Sequence, residues 1–182
     1  MNTAGRLEPF DLLAGIQRAC ASGRALAVPE TAADPRMTTG IGFLLHGQRM
    51  VAPMDEVAEI ISVPKCTRLP GVKPWVLGVA NLRGRLLPVY DLEGLVGSNR
   101  GAPKRQRRVL AVDMGDHYCG LLVSKVFGMQ QVAEATDTLS SAGISSEMAP
   151  YIEGAFWRNE VLWTRISTRR LAQGPLLQQI AL

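Results

Sequence analysis

Only three of the 182 residues are cysteine, and Cys20, Cys66 and Cys119 lie far apart. No Cys-x-x-Cys pair exists, so neither a zinc site nor a disulfide framework is suggested. A reducing cytoplasm is the simplest setting for such a chain. Histidine is scarcer still, with His46 and His117 alone. They are the only candidates for a base at neutral pH without a large pKa shift. Neither has a second ligand at metal spacing, and neither has a partnered serine or cysteine in view. The chain also lacks a Gly-x-x-x-x-Gly-Lys-Ser/Thr loop, a His-Glu-x-x-His helix and a Gly-x-Ser-x-Gly elbow. An enzyme is therefore disfavoured, and no catalytic, metal or cofactor-binding residue is expected.

Long apolar runs are missing too. No stretch approaches the roughly 18 residues that a membrane span needs. The opening "MNTAGRLEPFDLL" has one arginine, two acids and no long apolar stretch, unlike a signal peptide. The expectation is a cytosolic, soluble protein.

What the chain does have is a globular share of hydrophobic residues, 47%, and a net charge of +4. The excess of positive charge is modest, and one local cluster accounts for it: residues 100–108, "RGAPKRQRR". That run reads as a solvated loop or as an electrostatic contact, to an acidic protein partner in preference to anionic lipid.

Residues 9–24 place Phe10, Leu13, Ile16 and Cys20 on one helical face. The proline-containing stretch that follows reads as a linker, giving an N-terminal helix-and-linker segment over 1–38 and a main domain over 39–182. From Gly40 the texture changes to short apolar runs broken by Gly, Pro and Asn. About nine or ten strands at short spacing, without alternating helices, predict an all-β barrel arrangement. Short connecting helices are expected, among them "DLEGLVG" with Asp91 as its cap. A C-terminal helix capped by Ser167 or Thr168 is predicted over "STRRLAQGPLLQQIAL". The two halves show only a loose echo: each has a hairpin of apolar runs and ends in a short Leu-rich helix.

The centre of the chain reads "WVLGVANLRGRLLPVYDL", Trp75 to Leu92. Arg83 and Gly84 occupy the central places of a tight hairpin, where Gly84 takes positive φ at no steric cost. The flanking strands are expected to bury Val76, Val79, Leu82, Leu86 and Val89. Pro88 cannot donate to a ladder and belongs at an edge or a bulge. The hairpin displays Arg83 outward, suited to pair with a carboxylate or carbonyl across an interface. Asn81 serves the turn through its side chain, while Gly78 and Gly84 read as backbone requirements. Trp75, Trp157 and Trp163 read as core or boundary residues, with an interface role as the alternative.

The Gly-x-x-Asn-Leu-Arg-Gly-x-x-x-Pro-x-x-Asp-Leu pattern of this segment resembles the signature of CheW-like domains, the coupling proteins of bacterial chemosensory arrays. "VAPMDEVAEII" upstream and "GLLVSKVFGMQQV" and "YIEGAFWRNEVLWTRI" downstream extend the resemblance over roughly residues 40–173. Details such as "GIGFLLHG" and "PGVKPWVLGVANLRGRLLPVYDL" are most similar to the members that serve type IV pili and twitching motility. The last strand and its turn, Asn159-Glu160, depart from the family pattern.

The resemblance implies two intertwined five-stranded β-barrels of SH3/OB-like form around a shared hydrophobic core, with a groove between them. It implies a non-enzymatic adaptor that binds the cytoplasmic tip of a chemoreceptor and the regulatory domain of a CheA-like histidine kinase, which has the same fold. The protein would be cytoplasmic and recruited to membrane-associated arrays, without inserting into the bilayer. Matched residue by residue, the partner-binding positions are Val57, Glu59, Ile60, Gly78, Asn81 and Arg83. The alternative is an OB-like basic barrel that binds single-stranded nucleic acid. Such barrels set aromatics for base stacking beside clustered Lys and Arg. Aromatics are only 5% here and none falls in the basic run, so no nucleic-acid partner is expected.

Overall fold

A computed structural model describes residues 37–97, 103–115, 117–133 and 145–182. The helix and linker expected before residue 37, and the start of the basic run, lie outside the described residues. Among the described residues ten strands form two sheets. Strands β1 (Met37–Leu45), β2 (Gln48–Pro53), β8 (Lys125–Ala133), β9 (Ile152–Arg158) and β10 (Val161–Ile166) make the first, in the order β8-β1-β2-β10-β9. Strands β3 (Glu59–Ser62), β4 (Val76–Leu82), β5 (Arg85–Asp91), β6 (Arg108–Asp113) and β7 (Tyr118–Val123) make the second, in the order β3-β6-β7-β5-β4.

The loose echo in the sequence is a full duplication of topology. Each sheet contains two antiparallel hairpins, of which one is β1–β2 or β6–β7. The second strand of that hairpin runs parallel to the last strand of another hairpin, β10 or β5. A final edge strand, β8 or β3, pairs antiparallel with the first. Both β5 and β10 then run into a helix with a side-chain cap. Asp91 accepts from the amides of Glu93 and Gly94 at the start of α1 (Leu92–Leu95). Ser167 accepts from the Arg170 amide at the start of α2 (Thr168–Gln173).

Three apolar clusters fill this frame. One lies inside the first sheet, with Val51, Val132, Phe156 and Trp163. A second lies inside the other, with Ala80, Leu87, Val89, Val109 and Leu122. The largest is shared, joining Ile41, Phe43, Met50 and Ile166 of one sheet to Tyr90, Leu110, Leu121 and Val123 of the other. Successive residues of β6 therefore face different cores, Val109 inward and Leu110 to the shared cluster. Burial on both faces is why "VLAV" and "CGLLV" read as unbroken apolar runs rather than alternating ones.

Three hairpins close on two-residue turns in which both residues have positive φ: His46-Gly47, Arg83-Gly84 and Asn159-Glu160. That is the backbone form that matches the twist of paired strands.

Two buried carboxylates brace the junctions. Glu56, in a short 3-10 turn (Met54–Glu56), accepts from the hydroxyls of Ser167 and Thr168 at 3.0 and 2.9 Å and from the Arg169 amide at 2.9 Å. Glu93 of α1 accepts from the His46 amide at 2.9 Å and from the Ser124 hydroxyl, tying the second sheet to the first.

Three sequence expectations are corrected. The C-terminal helix is broken in two, because Gly174 is extended (ψ 157°) ahead of Pro175, which opens α3 (Pro175–Gln178). A residue before proline is pushed out of the helical region. Leu86 was expected in the core but is 72% exposed, whereas Leu87 is fully buried. The apolar run in β5 hid the phase of the alternation. Pro88 sits in a strand that is interior by order, yet β5 pairs with β7 only from Val89 onward. At Pro88 that side has no ladder to disrupt.

Candidate functional site

The site is built at the end of the second sheet that carries the Arg83 turn. Leu82 and Arg85 are the last cross-strand pair of β4 and β5, so Arg83 and Gly84 alone make the turn, with φ of 53° and 84°. The Asn81 side-chain oxygen accepts from the Gly84 amide at 2.9 Å and fixes it. The Arg83 side chain is 80% exposed and reaches Glu59, which opens β3; guanidinium and carboxylate meet at 2.7 Å. Strands β3 and β4 are the two edges of this sheet. The ion pair therefore ties one edge to the other.

Arg85 follows on the other side of the turn, with its side chain about half exposed. Its guanidinium lies 4.0 Å from the centre of the Tyr118 ring and pairs with the Asp113 carboxylate. The hydrogen bond from Arg85 holds the Asp113 carboxyl below its ordinary range, helped by the Gly115 amide. The same bond raises the Arg85 pKa. Both arginines are exposed, one lying over the Tyr118 ring and the other reaching Glu59.

The six residues carried over from the family pattern separate into two kinds. Glu59, Asn81 and Arg83 converge on the polar tip. Ile60 is 40% exposed and faces outward from the edge strand. Leu86, cross-strand partner of Asn81, adds a far more exposed apolar side chain to the same outer face. Leu86 was missed because it was assigned to the core; its signal was the strict alternation from Leu87. The other two act through packing. Val57 is half-buried against the shared core. Gly78 has φ +125°, and a Cβ there would fall 2.1 Å from the Thr67 carbonyl oxygen. That close approach lets Thr67 and Val79 exchange hydrogen bonds of 2.8 and 2.9 Å.

The duplication gives the first sheet an equivalent end. Arg158, beside the Asn159-Glu160 turn, donates to the Gln130 side chain at 2.9 Å and the Gln131 carbonyl at 3.3 Å, linking edge strand β9 to edge strand β8. Met129 pairs with Ile41 as Ile60 pairs with Leu110, and Trp157 pairs with Leu162 as Asn81 pairs with Leu86. Met129 is 66% and Trp157 69% exposed. The three tryptophans therefore divide. Trp163 lies in the first core, Trp75 packs edge-on to Tyr90 at 5.8 Å against the shared core, and Trp157 stands in solvent.

Among the described residues no three His, Cys, Asp or Glu converge as metal ligands, and no helix is long and apolar enough to cross a membrane. His46 is exposed at its turn and touches Glu93 only through its backbone.

Two five-stranded sheets of identical topology, sharing a core and ending in arginine-tied edges, define a CheW-like domain. The model of that family matches residues 39–175, and the chain belongs to it. Protein PilI of Pseudomonas aeruginosa is 42% identical over 165 residues, which cover 91% of this chain and 92% of that protein. Chemotaxis protein CheW of Bacillus subtilis is 27% identical over 113 residues, 62% of this chain and 72% of that one. The fold matches the scaffolding protein TtCheW from Thermoanaerobacter tengcongensis with a TM-score of 0.65 at 22% identity, covering 76% of this chain and 94% of that structure.

Proposed function

We propose that the protein is a non-enzymatic adaptor that joins the cytoplasmic tip of a chemoreceptor to the regulatory domain of a CheA-like histidine kinase. It works in the cytoplasm, recruited to membrane-associated receptor arrays. Similarity to PilI along nearly its whole length supports a chemosensory system that serves type IV pili. The observation that carries the reading is the outer face at the Arg83 turn. There an exposed guanidinium is held by Glu59, and the strands that carry the pair's neighbours in sequence leave Leu86 and Ile60 exposed. An apolar contact rimmed by a fixed arginine is the usual make-up of a protein interface centre. The equivalent end at Arg158 supports docking to a partner of the same fold, because it offers the other half of such a contact.

The test is calorimetric titration of the full chain against the purified kinase regulatory domain and the receptor tip. Binding to one or both, lost on Arg83→Glu with unchanged circular dichroism, is the expected result. Unchanged affinity of the variant for both partners would remove Arg83 from the interface. No binding of the folded wild-type protein to either partner would remove the adaptor reading.

A further inference from the structure

The second sheet has another end, opposite the Arg83 turn. Ser62 closes β3 there, Arg108 opens β6, and Leu77 and Leu122 lie near the ends of β4 and β7. Between them opens a cleft of about 650 Å³, a volume within the range of ligand pockets, and barrel mouths are a usual place for one. Its floor is aliphatic: Leu122 and Leu77 belong to or pack on the inner core, and Val63 is 41% exposed.

The rim is cationic. Residues 103–108 are wound tightly, with the Gln106 amide donating to the Pro103 carbonyl at 2.8 Å and Arg107 to Lys104 at 3.3 Å. This turn gathers Lys104, Arg105, Arg107 and Arg108 around the opening. Arg107 is neutralised by Asp91 at 2.5 Å. Among the described residues no carboxylate pairs with Lys104, Arg105 or Arg108. Arg108 donates instead to the backbone carbonyls of Arg105 and Arg107.

The duplicated fold supplies an internal comparison. The matching end of the first sheet, between the start of β1, the end of β2 and Val132 of β8, holds only about 100 Å³. Its charges are Asp55 and Arg165, the latter paired with Glu153. The shared topology therefore does not require an open basic mouth. Widening and charging are particular to one of two equivalent positions.

We propose that this cleft is a docking site for an acidic linear segment of another protein, which sets an aliphatic side chain on Leu77, Leu122 and Val63 between flanking carboxylates. Charge complementarity calls for an anion. The lining selects among anions, since it has aliphatic groups to receive a side chain and no aromatic ring on which a base would stack. The site is at the far end of the strands from Arg83, and it stands whether or not Arg83 meets a kinase or receptor.

The test is fluorescence anisotropy of the full chain with a labelled Glu/Asp-rich peptide carrying one central leucine. A peptide with leucine replaced by serine, inorganic pyrophosphate and oligothymidylate serve as competitors. The leucine peptide binds. The affinity falls about tenfold or more for Lys104→Glu with Arg105→Glu, and steeply with added salt. Arg68→Glu, a charge reversal at a single exposed position outside the cleft, leaves it unchanged, and the serine peptide competes more weakly. No peptide binding, an equal loss with Arg68→Glu, or equal competition by the serine peptide overturns the proposal. Stronger competition by pyrophosphate or oligothymidylate overturns the choice of ligand.

Discussion

Arg83 and Glu59 lie 24 residues apart and meet at 2.7 Å across the two edge strands of one sheet. Both were carried over as partner-binding positions, and in the isolated chain each is the other's partner. A contact that ties sheet edges and a contact offered to another protein predict different mutant behaviour. The charge-swapped pair Arg83→Glu with Glu59→Arg separates them. Thermal stability stays within about 1 kcal/mol of wild type for both single variants, as for other exposed ion pairs. Kinase-domain affinity in calorimetry stays low in the swapped protein if Arg83 touches the partner. Full rescue by the swap would assign the pair a purely intramolecular role.

Leu86 and Leu87 are neighbours with opposite fates. Leu86→Ser is expected to shift stability by no more than about 0.5 kcal/mol while weakening partner binding. Leu87→Ala, in a fully buried position, costs about 2–5 kcal/mol. Chemical denaturation with parallel titration distinguishes the two.

Gly78→Ala drives a Cβ toward the Thr67 carbonyl at a backbone conformation that side chains avoid. A stability loss of about 3 kcal/mol is expected, read from denaturant midpoints. Any loss of partner binding then follows from disturbance of the Thr67–Val79 pairing rather than from a missing contact.

Glu56→Ala strands two hydroxyls and an amide at the start of α2. The expected cost is about 2–4 kcal/mol. Glu56→Gln, which keeps one acceptor, recovers part of it, and urea unfolding of the two variants measures the difference.

Burial pushes the Cys119 thiol from 9.0 up to about 12. The unfolded chain loses this proton first, so the folded state keeps its advantage below pH 9. That advantage drains away as the pH rises toward 12, at about 1.4 kcal/mol per unit. Tyr90, raised by the same cause, adds to the alkaline loss from about pH 10. Cys119→Ala should flatten the first part of this decline in stability measured against pH.

The strand count, the Arg83-Gly84 turn and the Asp91 and Ser167 caps were legible in the sequence. Each rests on chemistry confined to a few neighbouring residues. Leu86 was misplaced because Leu86 and Leu87 are chemically identical, and only pairing with Asn81 and Ala80 assigns their faces. Glu56 and Glu93 went unnoticed because nothing local marks a glutamate whose partners lie 111 or 31 residues away. The duplication was faint for a related reason. Topology repeats while the side chains that tie the edges change, an Arg–Glu ion pair in one sheet and an Arg–Gln hydrogen bond in the other.

The path of the chain, out of the first sheet after β2 and back at β8, sets an order of assembly on the ribosome. Every strand of the second sheet has been synthesised by Val123, whereas the first sheet waits for β10, which ends at Ile166. Those roughly forty residues take a few seconds to translate. For that interval β2 lacks its parallel neighbour, and Met50 and Val51 lack Ile166 and Trp163 in their clusters. The nascent protein is therefore most open to aggregation, and to chaperone capture, through its N-terminal hairpin.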